Sequence, residues 1–194
     1  MLSRSIFPIR RALAVLLAAC CMHAHALPSM SLVIPDRYVG KGELFSIFVH
    51  IDDVHDLFAY QFDLTFDPAL LSVRAVEEGN FMAGPPHVFF PGTVDSAGGR
   101  ISFVVGSLTD DTPALDGSGD LVRIAFRAGD AAGTASFSLP NVILLDSSLA
   151  DMPFAPPGGG EVQVVAAPGT LTLVLTMLPL LLWTARSRGR RIRR

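Results

Sequence analysis

Short runs in which apolar and polar side chains alternate fill residues 32–165, separated by clusters of Gly, Pro, Asp and Ser. In residues 44–52, Phe45, Ile47, Val49 and Ile51 fall on one face, and Leu44, Ser46, Phe48 and His50 on the other. In residues 58–66 the alternation is sharper, with Phe58, Tyr60, Phe62, Leu64 and Phe66 set against Ala59, Gln61, Asp63 and Thr65. A period of two is that of a β-strand with one face buried. Asp67-Pro68 closes the second run, because proline has no N–H to give to a ladder and the pair starts a turn. Residues 70–75, 100–107, 121–128, 135–139, 142–145 and 161–165 predict further strands, and no stretch between them carries a long helical period. Eight or more short strands around one core predict an all-β, two-sheet sandwich over residues 27–165. Residues 79–91, 109–119 and 146–160, rich in Gly, Pro and Asp, predict exposed loops at its ends.

The alternation fails at both ends of the chain. Arg4, Arg10 and Arg11 precede an apolar run at residues 12–22 and the small-residue triplet Ala24-His25-Ala26. That is the order of a secretory signal peptide, residues 1–26, cut after Ala26. Leu17-Ala18-Ala19-Cys20 also resembles a bacterial lipobox, which would place a lipid on Cys20. At the other end, residues 166–185 carry no charge, and about 20 apolar residues suffice for one transmembrane helix. Pro179 is a kink that such helices tolerate. Trp183 fits an interfacial position, and the arginines of residues 186–194 mark a basic cytoplasmic tail. The expected protein is exported, and is either membrane-anchored at the cell surface or released to an extracellular matrix. The spacer, apolar helix and arginine-rich end together resemble the PEP-CTERM sorting tails that exosortases process, with Val165-Ala166-Ala167-Pro168 standing where Val-Pro-Glu-Pro is usual. Removal of the tail and a plain stop-transfer anchor both fit these residues.

Charge changes the picture of the middle segment. The net charge of the whole chain is −3, but neither end holds an acid. Residues 27–166 therefore set six basic residues against all eighteen acidic ones, a net of −12. A field of that sign excludes nucleic acid and favours basic protein partners or cations, besides keeping the domain soluble. Both cysteines, Cys20 and Cys21, lie in the leader, so no disulfide framework is expected. His50, His55 and His87 lack the spacing of a zinc site and are expected as isolated surface residues. Asp52, Asp53, Asp56, Asp110, Asp111, Asp116 and Asp120 do not follow an EF-hand pattern and are expected as loop acids, so no metal or cofactor is assigned. Hydrolysis would need opposed carboxylates or an activated nucleophile. Glu77 and Glu78 are adjacent and point apart if extended, and no Gly-x-Ser-x-Gly elbow occurs, so the chain is not expected to be an enzyme.

One set of ordered segments carries a family resemblance. Asp53-Val-His-Asp-Leu-Phe-Ala-Tyr-Gln-Phe-Asp-Leu-Thr-Phe-Asp-Pro-Ala-Leu-Leu71, with Gly40-Lys-Gly-Glu43, Phe89-Phe-Pro-Gly92 and Leu121-Val-Arg-Ile-Ala-Phe126, resembles the signature of cohesin domains. The resemblance implies a jelly-roll β-sandwich, related in fold to some carbohydrate-binding modules, whose flat sheet face docks a helical dockerin partner. Carried over, the partner-binding face consists of Ala59, Gln61, Asp63 and Thr65. The function this implies is a non-catalytic extracellular module that docks a dockerin-like or other basic protein. The alternative is a carbohydrate-binding module or a structural component of an extracellular polysaccharide matrix.

Overall fold

The protein is described by a computed structural model covering residues 27–109 and 111–166. The expected signal peptide, Cys20, the transmembrane segment beyond Ala166, the basic tail, and Ala167 and Pro168 of the sorting motif lie outside the described residues.

Within them there are twelve strands and no helix. They are β1 (Ser29–Val33), β2 (Tyr38–Gly40), β3 (Leu44–Leu57), β4 (Ala59–Thr65), β5 (Leu71–Glu78), β6 (His87–Phe90), β7 (Thr93–Asp95), β8 (Arg100–Leu108), β9 (Leu115–Ala128), β10 (Gly133–Phe137), β11 (Ile143–Leu145) and β12 (Gly160–Val165). One antiparallel sheet has the order β1-β3-β9-β5. The opposing sheet has the order β11-β4-β8-β6, with β7 also paired to β8. A ribbon β10-β12-β2, in which β12 and β2 run parallel, joins the second sheet through a bridge between Thr65 and Ser138.

The two inner faces share one core. Phe45, Ile47, Val49 and Ile51 of β3 are buried as their alternation predicts, and so are Tyr60, Phe62 and Leu64 of β4. Phe126 of β9 is the hub. Its ring stacks on Phe45 at 5.8 Å and meets Phe66 and Phe137 edge-on, each at 5.3 Å. Such offset and edge-to-face arrangements suit the aromatic quadrupole. Tyr60 spans the sandwich, its hydroxyl donating to the carbonyl of Leu121 at 3.3 Å. Its ring lies over Gly106, its cross-strand neighbour, where any Cβ would collide with it.

Several expected loops are strand. Leu115–Gly119, expected as loop, opens the fourteen-residue β9 and pairs with an equally long β3. Two acids at positive φ, Asp53 and Asp56, keep this extension on the core: the bulges they make return Val54 and Leu57 to the inner face. Residues 79–91, also expected as loop, contain β6 and the buried Met82. Phe58 falls between β3 and β4 and is half-buried rather than a core strand residue.

Phe126→Ala removes all three ring contacts, and its expected cost is about 3–5 kcal/mol, typical of a fully buried phenylalanine. Urea denaturation checks this. Leu44→Ala, which truncates an exposed side chain, should stay within about 0.5 kcal/mol of wild type.

Candidate functional site

The outer face of the β11-β4-β8-β6 sheet is set by register. Side chains directly opposite each other in a ladder share a face. One row across it reads Ile143, Gln61, Val105, Phe90, and the next reads Leu145, Ala59, Ser107, Val88. Val88, Phe90 and Ile143 are exposed at 58, 49 and 40%, and Val105 and Leu145 are half-buried. No charged residue occurs in either row.

At the next level the sheet departs from regular pairing on every strand. Phe62 pairs with Val104 and Leu64 with Ile101, so Ser102 and Phe103 together oppose the single residue Asp63. This is a β-bulge. Phe103 takes a φ of 61°, and its side chain stands 60% exposed on the outer face. On the far side of β8, β6 ends at Phe90 and β7 begins at Thr93, with Pro91-Gly92 between them. On the other flank of β4, the chain between Ser138 and Ile143 is broken at Pro140 and at Asn141, which has a φ of 55°.

Asp63 lies at the centre of these breaks and is 4% exposed. Its Oδ1 accepts the backbone N–H of Phe103 at 2.7 Å. Its Oδ2 accepts Nη2 of Arg100 at 2.5 Å and Nδ2 of Asn141 at 2.6 Å. Burial pushes the carboxyl upward, but the bonds from Arg100, Phe103 and Asn141 and the Arg100 charge outweigh it and hold the group below the ordinary carboxylate range. A bulky residue at positive φ costs on the order of 1–3 kcal/mol. The Asp63 bond to the Phe103 amide offsets that cost.

The four residues expected on the partner face therefore separate. Gln61 is the half-exposed centre of the apolar rows. Ala59 is buried among its neighbours, with little side chain to offer. Thr65 is committed to Ser138, its Oγ1 lying 2.6 Å from the serine Oγ. Asp63 points to the outer side as the alternation requires, but it is not an exposed contact residue, because three donors from β8 and the 138–143 segment cover its carboxylate. The alternation singled out none of Val88, Phe90, Phe103 and Ile143. Two of them lie on a strand hidden in a Gly/Pro-rich stretch, and one stands at a bulge.

The histidines are not isolated either. His50 Nδ1 lies 2.7 Å from Asp120 and its Nε2 3.4 Å from Asp52. His55 lies 3.9 Å from Asp53 and 3.8 Å from Asp116. His87 ties the two sheets together at the β6 edge. Its Nδ1 faces the Pro85 carbonyl at 2.8 Å and its Nε2 the Glu78 carboxylate at 2.5 Å. A carbonyl and an ionised carboxylate both accept, so the doubly protonated ring is the form that satisfies both contacts. The Pro85 bond and then the Glu78 bond raise its pKa above the ordinary histidine value. Glu77, next along β5, turns the other way to Arg123 at 2.9 Å.

The acids gather elsewhere. Asp53, Asp56, Asp116, Asp146 and Asp151 belong to the loop end of the sandwich, where a cleft of about 400 Å³ is lined by His55, Asp56, Asp146 and Met152. Asp146 there caps its own turn, accepting from Ser148 and from the Ala150 N–H. Among the described residues, no group of three or more His, Cys, Asp or Glu side chains converges as a metal site.

The family profile described as the cohesin domain matches residues 30–155. No curated protein matches the chain. Similar solved structures include a non-cellulosomal cohesin from the hyperthermophilic archaeon Archaeoglobus fulgidus, at 15% identity and TM-score 0.57 over 76% of this chain and 97% of that one. A type I cohesin–dockerin complex from Clostridium thermocellum matches at 16% and 0.57, over 71% of this chain and 99% of the other. The sixth cohesin of Acetivibrio cellulolyticus scaffoldin B, in complex with a Cel5 dockerin, matches at 17% and 0.59, over 72% and 100%. At these identities the likeness is one of fold.

Two expectations concern stability. Asp63→Ala should cost about 2–3 kcal/mol, below the 3–5 typical of breaking a fully buried pair because Arg100 keeps contact with water. Since the folded carboxyl has the lower pKa, that difference should hold above the unfolded carboxylate value near 3.8 and disappear as pH falls through the folded value. His87→Gln has the opposite sign. Its cost, roughly 1–2 kcal/mol, should be complete below the unfolded histidine value of 6.5 and vanish as pH rises through the elevated folded one. Chemical denaturation of each variant against wild type across a pH series measures both.

Proposed function

Because the chain belongs to the cohesin domain family, we propose that it is a non-catalytic docking module that receives a dockerin-like helical protein on the outer face of the β11-β4-β8-β6 sheet. The observation that carries this reading is the apolar, uncharged band formed by Val88, Phe90, Phe103, Val105, Ile143 and Leu145 around Gln61. A rigid sheet face of this kind presents apolar area without an ordering cost, which favours a protein partner with a complementary apolar face. Two cohesins of the same fold are seen in complexes with dockerins, in support of the same class of partner.

The partner's basic character, expected from net charge, applies to the rim and not to the centre. Acids at the loop end speed encounter with a basic partner, and the apolar rows supply the contact energy. The leader and tail patterns support export, with membrane anchorage or exosortase-type release at the cell surface. The carbohydrate-binding alternative gains one observation: Phe90 and Phe103 are planar side chains exposed on a flat sheet.

Surface plasmon resonance of the purified chain against a panel of type I and type II dockerin modules tests the reading. Binding by at least one module is expected, and Phe90→Asp and Ile143→Asp should each weaken it by about 30-fold or more, as charges placed in a dry interface do. No binding across the panel, or equal binding by the charged variants, overturns it. Retention on a glycan array that both variants lose would support the carbohydrate reading instead.

A further inference from the structure

We infer that Phe103 is the anchor of this docking face, and that Asp63, held by Arg100 and Asn141, is the positioning residue that fixes its backbone. The inference rests on the docking reading above and names the residue and the partner chemistry that reading leaves open. Strict alternation along β8 would put Ile101, Phe103 and Val105 on one face. The bulge opposite Asp63 breaks that pattern, so Ile101 joins Val104 in the core while Phe103 stays on the outer face with Val105. A phenylalanine at φ 61° is a steric outlier, and the aromatic ring it carries is the most exposed large apolar side chain on this sheet. Nothing in the core requires it there.

The support beneath it converges on one group, with Nε of Arg100 left buried and without a partner among the described residues. The Phe103 N–H, the Asn141 amide and the Arg100 guanidinium all converge on one buried carboxylate. Phe103 is thus held by its backbone while its side chain remains uncovered. Phe103 borders the apolar rows at the level beyond Gln61, and aromatic side chains are enriched among the energetic hot spots of protein interfaces. The partner implied is a helical module with an apolar recess about one aromatic ring wide. A basic patch on the partner would find no counter-charge at this spot, because Asp63 is already paired with Arg100.

Phe103→Gly separates anchoring from folding. Glycine adopts positive φ freely, so the variant should melt at or above the wild-type temperature. Its affinity for whichever dockerin module of the panel binds wild type should nevertheless fall by about 30-fold or more. Phe103→Gly binding within about threefold of wild type, while Phe90→Asp still abolishes binding, would overturn the anchor and leave the docking face intact. Absence of any dockerin binding by wild type would overturn both. Positioning is read by a double-mutant cycle, with each variant confirmed folded at the assay temperature. If Asp63 acts through Phe103, Asp63→Ala should weaken wild type but add little to Phe103→Gly. Full additivity would contradict that role. Loss of glycan retention in Phe103→Gly, with dockerin binding unchanged, would reassign the ring as a sugar platform and sink the proposal.

Discussion

A carboxylate buried in the outer layer of a β-sandwich must collect hydrogen-bond donors or be protonated, and around Asp63 the sheet meets that demand by giving up its regularity. An unbroken ladder spends its N–H groups on neighbouring carbonyls and has none to spare. The bulge at Ser102–Phe103 releases the Phe103 N–H, and the break at Pro140–Asn141 aims the asparagine amide at the same carboxylate. Arg100 completes the set. With all three in place the carboxyl stays ionised and the local backbone has one solution. The bulge at Phe103, the end of β6 and the turn before β11 all lie at the level of this one side chain.

Charge and hydrophobicity are consequently divided between regions of the surface. A cluster of acids, Asp53, Asp56, Asp116, Asp146 and Asp151, sits on the loops and hairpin extension at one end, with Asp146 capping a turn and Asp53 and Asp116 beside His55. The middle of the β11-β4-β8-β6 sheet is left apolar, with its one acid neutralised from within. On the proposed docking reading, such a surface would attract a basic protein at long range and hold it by burial at short range. His87 ties β6, which supplies Val88 and Phe90, to β5 of the other sheet through Glu78, so the candidate face is braced against the core.

Much of the core was legible from alternation alone. Phe45 through Ile51 and Tyr60 through Leu64 point inward as their spacing requires, and a period of two leaves little freedom when one face is apolar. The candidate face was less legible. Alternation put Asp63 on the outer side correctly, but its partners Arg100 and Asn141 are 37 and 78 residues away, and no local pattern encodes them. β8 reads as an ordinary strand, and its bulge arises only when it is laid against β4. Two signals were present, Pro91-Gly92 and Pro140-Asn141. Each is a turn pair, and the fold places both at the level of Asp63 on opposite flanks of the sheet. The His87–Glu78 contact was invisible for a similar reason, since it joins strands that belong to different sheets.

The ionised, triply bonded carboxylate of Asp63 is the central feature of this sheet, and its titration followed residue by residue in solution tests that directly. Carbon-detected NMR of the Asp63 carboxyl, recorded with the Phe103 amide across an acid titration, should show both signals moving together at one midpoint below the ordinary carboxylate range. An Asp63 carboxyl that titrates near 3.8 while the Phe103 amide stays still would contradict it.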